Sequence, residues 1–85
     1  MIVSDDVAER VCELFRVGLR VADIDIDTPL LDYGLDSVRS AEIVIELERV
    51  FDIDLLDEEV ATLHTARDVI ECVSAKRGSR TEVGA

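Results

Sequence analysis

Aromatic residues are scarce in this chain. There is no Trp, and the only rings outside the single histidine are Phe15, Tyr33 and Phe51. Hydrophobic residues still make up 48% of the 85 positions, so the apolar content is almost wholly aliphatic, which favours packed helices over a β-sandwich. Proline occurs once, at Pro29, so few points forbid a helix. Two cysteines, Cys12 and Cys72, and a start (Met-Ile-Val-Ser-Asp-Asp) without a basic and apolar leader argue against a disulfide framework. No apolar run is long enough to span a bilayer, and a cytoplasmic location is expected. Bases are outnumbered nine to twenty, for a net charge of -11. A surface of that sign repels phosphate backbones, which excludes nucleic acid as the expected partner. It steers the chain toward basic patches on other proteins.

The acid is unevenly placed. Residues 21–36 hold five Asp and no base, and residues 52–60 hold five acids and no base. The intervening stretches are close to neutral, so the charge concentrates in two connecting segments. The length suits one small domain.

Periodicity outlines the helices. Ser4 is placed to cap a first one, with Asp5 and Asp6 in its first turn. Val7, Val11, Leu14 and Phe15 then recur at helical spacing, and Gly18 and Val21 mark its end. Residues 21–36 form a long connection in which Ile24 and Ile26 plug the core between aspartates. Thr28-Pro29-Leu30 makes a turn, and Leu30, Leu31 and Leu35 are expected to pack inward. A second helix runs from Asp36 or Ser37 to about Phe51. Its expected core stripe is Ala41, Val44, Leu47 and Phe51, with Ile43 and Val50 beside it. Arg39, Glu42, Glu46 and Arg49 fall on the wetter side, and Ile45 is an aliphatic residue near the polar face. Asp57 is expected to cap a short helix through Ala61. Thr65 and Asp68 form a capping box for a last helix carrying Val69, Ile70 and Val73. Residues 78–85 read as a disordered tail, leaving 1–77 as the folded domain.

Gly34-Leu35-Asp36-Ser37-Val38 sets a serine at a loop-to-helix junction. A nucleophilic serine needs a base, usually His. The only histidine, His64, lies before the last helix with no third group evident. A hydrolase elbow also requires glycine two residues after the serine, where this chain has Arg39. Asp23-x-Asp25-x-Asp27 imitates the start of a calcium loop, but Thr28 and Gly34 stand where Gly and a bidentate Glu are needed. No catalytic residues and no metal site are assigned. A modified serine fits better: Gly34 lets the backbone turn, and the first helical turn favours a phosphate through its free N–H groups and the helix dipole.

These residues resemble the acyl and peptidyl carrier protein family. The shared pattern runs from about Val7 to Val73 through Thr28-Pro29-Leu30, Asp32-Tyr33-Gly34-Leu35-Asp36-Ser37-Val38, Glu46-Leu47-Glu48-Arg49-Val50-Phe51 and Asp57-Glu58-Glu59. The resemblance implies an all-α, right-handed four-helix bundle of three main helices and a short third one. It implies that Ser37, preceded by Asp36, carries 4'-phosphopantetheine, transferred from coenzyme A by a magnesium-dependent phosphopantetheinyl transferase. The arm's thiol would hold cargo as a thioester, and the carrier itself is not an enzyme. Asp36 looks like acyl or aryl carriers, whereas peptidyl carriers more often have His there. Tyr33 to Arg39 is similar to aryl carriers of siderophore assembly, and Glu42 to Glu48 to fatty-acid and polyketide carriers. Arg39 and Arg49 depart from the acids usual in fatty-acid carriers. The resemblance therefore points to a discrete, monomeric carrier of a specialised polyketide, nonribosomal peptide or hybrid pathway. Its loading enzyme (an acyltransferase or adenylating ligase) and a downstream synthase or transferase would act in trans. By the same resemblance the second helix is the recognition surface. Leu35, Val38 and Ile45 would give apolar contact, and Arg39, Glu42, Glu46 and Arg49 charges. Arg39→Glu is expected to spare the fold, and Ala41→Asp to damage it. A carrier for fatty-acid synthesis or an aryl carrier of siderophore-type assembly is the alternative within the family, and an unmodified acidic helical module that docks a basic partner is the competing class.

Overall fold

The computed structural model describes the backbone of residues 3–84 and the surroundings of side chains 6–77. Among the described residues there are four helices and no strand: α1 (Val3–Leu19), α2 (Ser37–Phe51), α3 (Asp57–Val60) and α4 (Ala66–Gly84), with one 3-10 turn at Leu30–Tyr33. The all-α, four-helix expectation holds. α1 packs against both α2 and α4.

α1 buries Val7, Val11, Phe15 and Leu19. Each lies four residues from the last, a single stripe on one face. Its backbone starts at Val3, one residue ahead of the expected cap, and the side chains of Ser4 and Asp5 lie outside the described residues. α1 and α2 stop in the same way. Arg20 (φ 60°) and Asp52 (φ 55°) take the left-handed conformation just past each helix. The next amides, of Val21 and Ile53, return to the carbonyls of Arg16 and Glu48, which satisfies helix-end acceptors. The reversal drops Ile53 into the core and packs Val21 against it.

Ile24 is buried in the long connection and Ile26 packs against the core, as the alternating pattern suggests. The intervening aspartates serve the backbone. Asp23 Oδ1 accepts the Ile24 N–H and Asp25 Oδ1 that of Asp27, both at 2.9 Å. The connection is stapled to the start of α4 by Leu30 N–H to His64 C=O and Arg67 N–H to Ile26 C=O. Arg67 also grips the Asp27 carboxylate with Nε and Nη2, at 2.6 and 3.1 Å. Leu30 packs inward as expected, but Leu31 does not: it is 74% exposed. The 3-10 turn places consecutive leucines on different sides, and only one can face the core.

α2 carries a second correction. Its buried residues are Ile43 and Leu47, with Val44 and Phe51 partly covered, while Ala41 is exposed. The core face is therefore rotated toward Ser40–Ile43–Leu47–Phe51. Both stripes share Leu47 and Phe51, and the polar hydroxyl of Ser40 hides the true one in the sequence.

Asp57 is the first residue of α3, not its cap. Glu59 instead reaches back to accept the Leu56 N–H at 2.9 Å and pairs with Lys76 on α4, also at 2.9 Å. The Thr65–Asp68 box forms as expected. Thr65 Oγ1 accepts the Asp68 N–H, and the Asp68 carboxylate accepts the N–H groups of Thr65 and His64. Ala66, Val69 and Val73 complete the core, and Arg77 sits over the Phe51 ring. The α4 backbone runs through Gly84, and the side chains from residue 78 on, where a tail is expected, lie outside the described residues together with Ala85. Cys12 and Cys72 are free and half-buried. Burial, helped by Asp23 beside one and Glu59 beside the other, pushes both thiols up and keeps them protonated.

Candidate functional site

The site begins at a glycine that the backbone requires. Gly34 has φ 91°, and its N–H closes the 3-10 turn onto the carbonyls of Leu30 and Leu31. Nothing lies within 4 Å of where a Cβ would stand. The demand is thus conformational, not steric. Asp36 follows in extended conformation and is the N-cap of α2, its Oδ1 accepting the Arg39 N–H at 2.8 Å. Its carbonyl takes the Ser40 N–H at 2.8 Å.

Ser37 is then the first helical residue, and it is exposed. The amides of Ser37 and Val38 have no acceptor within α2, because the carbonyls four residues earlier lie before its start. An anion held at the Ser37 hydroxyl would meet those donors and the positive end of the α2 dipole. The Asp36 carboxylate is engaged with Arg39, which moderates the repulsion it would otherwise exert. An exposed hydroxyl, free donors and open space beside Gly34 fit the attachment of a phosphodiester-linked arm.

The other expected site residues divide. Val38 and Ile45 are 67% and 60% exposed and project from α2. Glu42 is exposed. Leu35 packs partly against the core, which withdraws much of it from any partner. Glu46 and Arg49 pair with each other, Arg49 Nη2 donating to both carboxylate oxygens at 2.9 and 3.1 Å. Arg39 is half-buried, and its Nη1 donates to the Gly18 carbonyl of α1 at 2.9 Å. Its charge meets the negative end of the α1 dipole. The expectation that Arg39→Glu spares the fold is therefore corrected. His64 is exposed and contributes its backbone: its N–H goes to Asp68 and its C=O receives Leu30.

Sequence reasoning passed over α1. Val17 is 68% exposed, and with Leu14 and Gly18 it faces Glu42, Ile45 and Glu46 across an open groove of about 530 Å³. The signal was present, since Val17 is an aliphatic residue between Arg16 and Gly18, off the Val7–Val11–Phe15 stripe. Beneath α2 the core leaves a cavity of about 30 Å³ beside Leu35, Ser40 and Val44, room for roughly one water. No group of three or more His, Cys, Asp or Glu able to hold a metal occurs among the described residues.

A small helical bundle that offers an exposed serine at a capped helix start has the features of a carrier. Residues 5–73 match the family described as "Phosphopantetheine attachment site", and the chain belongs to that family, as an acyl carrier protein homologue. It is 30% identical over 78 residues to the acyl carrier protein of Prochlorococcus marinus, covering 88% of this chain and 98% of that one. It is 33% identical over 76 residues to a highly reducing polyketide synthase of Stachybotrys chartarum, and 34% identical over 64 to a non-reducing polyketide synthase of Aspergillus niger. The match spans only 3% and 2% of those two synthases. The fold is that of the crystal structure of an acyl carrier protein from Thermotoga maritima, with TM-score 0.76 and 19% identity over 89% of this chain and 92% of that one. The family's cofactor is phosphopantetheine, and its members carry cargo and are not enzymes.

Proposed function

We propose that Ser37 bears the 4'-phosphopantetheine arm and that the chain is a discrete carrier in a specialised biosynthetic pathway. The observation that carries the assignment is the exposure of Ser37 at the first position of α2, behind the turn made by Gly34 and capped by Asp36. When bound, the arm supplies a terminal thiol on which an acyl or aminoacyl group is held as a thioester. The residues of this chain do the rest. Asp36 fixes the start of α2, and the Ser37 and Val38 amides face the linking phosphate. Val38, Ile45, Glu42, Glu46 and Arg49 present the surface that partner enzymes dock on. Arg39 contributes to that surface mainly by holding α2 to α1.

Similarity to polyketide synthases favours polyketide assembly among the specialised pathways, with nonribosomal peptide or hybrid assembly next. Identity to the Prochlorococcus carrier along 98% of its length supports the carrier reading, in which a transferase, a loading enzyme and a downstream synthase are the partners. We take 1–77 as the carrier domain, since Val73 is the last core residue among those described and the family match also ends there. No helix among the described residues is long and apolar enough to cross a membrane, and we place a monomer in the cytoplasm.

The test is intact mass after incubation with coenzyme A, magnesium and a broad-specificity phosphopantetheinyl transferase. The wild type should gain one phosphopantetheine and Ser37→Ala none. No gain on the wild type leaves the unmodified acidic docking module. Gain on Ser37→Ala moves the attachment to another residue.

A further inference from the structure

The groove between α1 and α2 has no part in attachment. Its walls are aliphatic: Leu14 and Val17 on α1, Ile45 on α2, with Ile43 as its floor. Gly18 allows the two helices to meet there, since a Cβ on it would stand 2.9 Å from Ile43 Cδ1. Among the described residues, the charged ones that line it are Glu42 and Glu46. Arg49 holds the Glu46 carboxylate, while Glu42 has no hydrogen bond or ion pair among the described residues. Arg39 is occupied with the Gly18 carbonyl.

Three occupants compete. The first is the chain's own cargo. At about 100° per residue, the α2 residues lining the groove centre roughly 160° around the helix from Ser37. An arm on Ser37 leaves from the opposite flank, toward Ala41 and Val44, so the cargo is poorly placed to fill the groove. The second is another copy of this chain. It would bring a charge of -11 against -11 and carboxylate against carboxylate, which opposes association. The third is a basic segment of a partner enzyme, and it fits both the walls and the rim.

We infer that the docking surface continues from α2 across the groove onto α1, and that the groove receives an aliphatic side chain flanked by Lys or Arg from a helix of a partner enzyme. This rests on the carrier reading and extends it: the recognition surface wraps from α2 onto α1 through Leu14 and Val17. Val17 and Ile45 are the apolar anchors. Glu42 orients the basic flank and speeds the encounter, more than it adds affinity.

The probe is a synthetic amphipathic helical peptide with a leucine face bordered by lysines, titrated into the 15N-labelled full chain and followed by amide chemical shifts. Shifts should centre on Leu14, Val17, Gly18, Glu42 and Ile45. Val17→Asp should weaken binding about tenfold or more, with an unchanged melting temperature because the side chain is exposed. Glu42→Lys should weaken it a few-fold and flatten its salt dependence. A peptide with glutamates for lysines should not bind. Shifts confined to the Ser37–Ala41 flank or to α3, or no shifts at all, overturn the inference. So does perturbation of Val17 and Ile45 by an octanoyl thioester on the arm without peptide, which would give the groove to the cargo. The titration is repeated on Ser37→Ala, where docking should persist. Its outcome is therefore separate from the mass gain that tests attachment.

Discussion

Arg39 illustrates how a single side chain changes meaning once its surroundings are known. Three residues into α2, with a helical spacing that puts it off the leucine stripe, it has the look of a solvated recognition charge. In the fold it reaches across to α1 and donates to the Gly18 carbonyl, where no helix residue can supply a donor. Arg39→Glu removes that bond and puts an anion at the negative end of α1. We expect a loss of about 1–2 kcal/mol, a fall in Tm on the order of 5–15 °C for a domain of this size. Arg39→Lys keeps the charge and should lose less than half as much. Thermal melts of the two variants decide it: an unchanged Tm for Arg39→Glu returns the residue to the recognition set. Ser37 and Gly34 behave differently. Each was legible from its neighbours alone, because a φ near 90° and an N-cap aspartate are local demands that Gly and Asp answer locally.

At the scale of the element, α2 was placed correctly from end to end but turned about its axis. Ala41–Val44–Leu47–Phe51 and Ser40–Ile43–Leu47–Phe51 are both acceptable helical stripes. Apolarity alone favours the first, since it contains no hydroxyl. Packing chose the second, because α1 approaches at Gly18 and meets Ile43. The consequence is opposite to the sequence-based expectation. Ala41→Asp should now shift stability by no more than about 0.5 kcal/mol, as for an exposed position. Leu47→Ala, at 1% exposure, should cost about 2–5 kcal/mol through lost burial and the cavity it leaves. Denaturant melts with a common m-value check this, and an Ala41→Asp loss comparable to that of Leu47→Ala would restore the first stripe. The Thr65–Asp68 start of α4 was readable because its bonds close within four residues. The Glu59–Leu56 start of α3 was not, because acids at successive positions offer several capping schemes and only geometry selects one.

For the whole molecule, the excess of acid sets how stability responds to pH. Asp27 is held below the ordinary carboxylate range, first by its hydrogen bond from Arg67 and then by that residue's charge. Asp68 is lowered chiefly by the backbone N–H of His64, then by Thr65, and Glu59 by the Leu56 N–H and then Lys76. A carboxyl group whose pKa is lower folded than unfolded contributes stability above its unfolded value, and that contribution is lost as pH falls through the folded one. Tm should therefore hold between about pH 7 and 5 and fall below roughly pH 4. Asp27→Asn should flatten that fall. A Tm that rises as pH drops from 5 to 3 would mean that relief of the -11 charge outweighs these three carboxylates. What the sequence by itself determined was the helical class, the order and extent of α2, and the exposed serine behind Gly34 and Asp36. Those features follow from spacing and from bonds that close within a few residues. Tertiary structure alone decided which face of α2 is inside, that Leu31 points outward, and that Arg39 is a clamp. It also decided that Val17 shares a groove with Ile45. Each depends on where α1 lies against α2, and contacts between residues far apart in the chain leave no periodic trace in either segment.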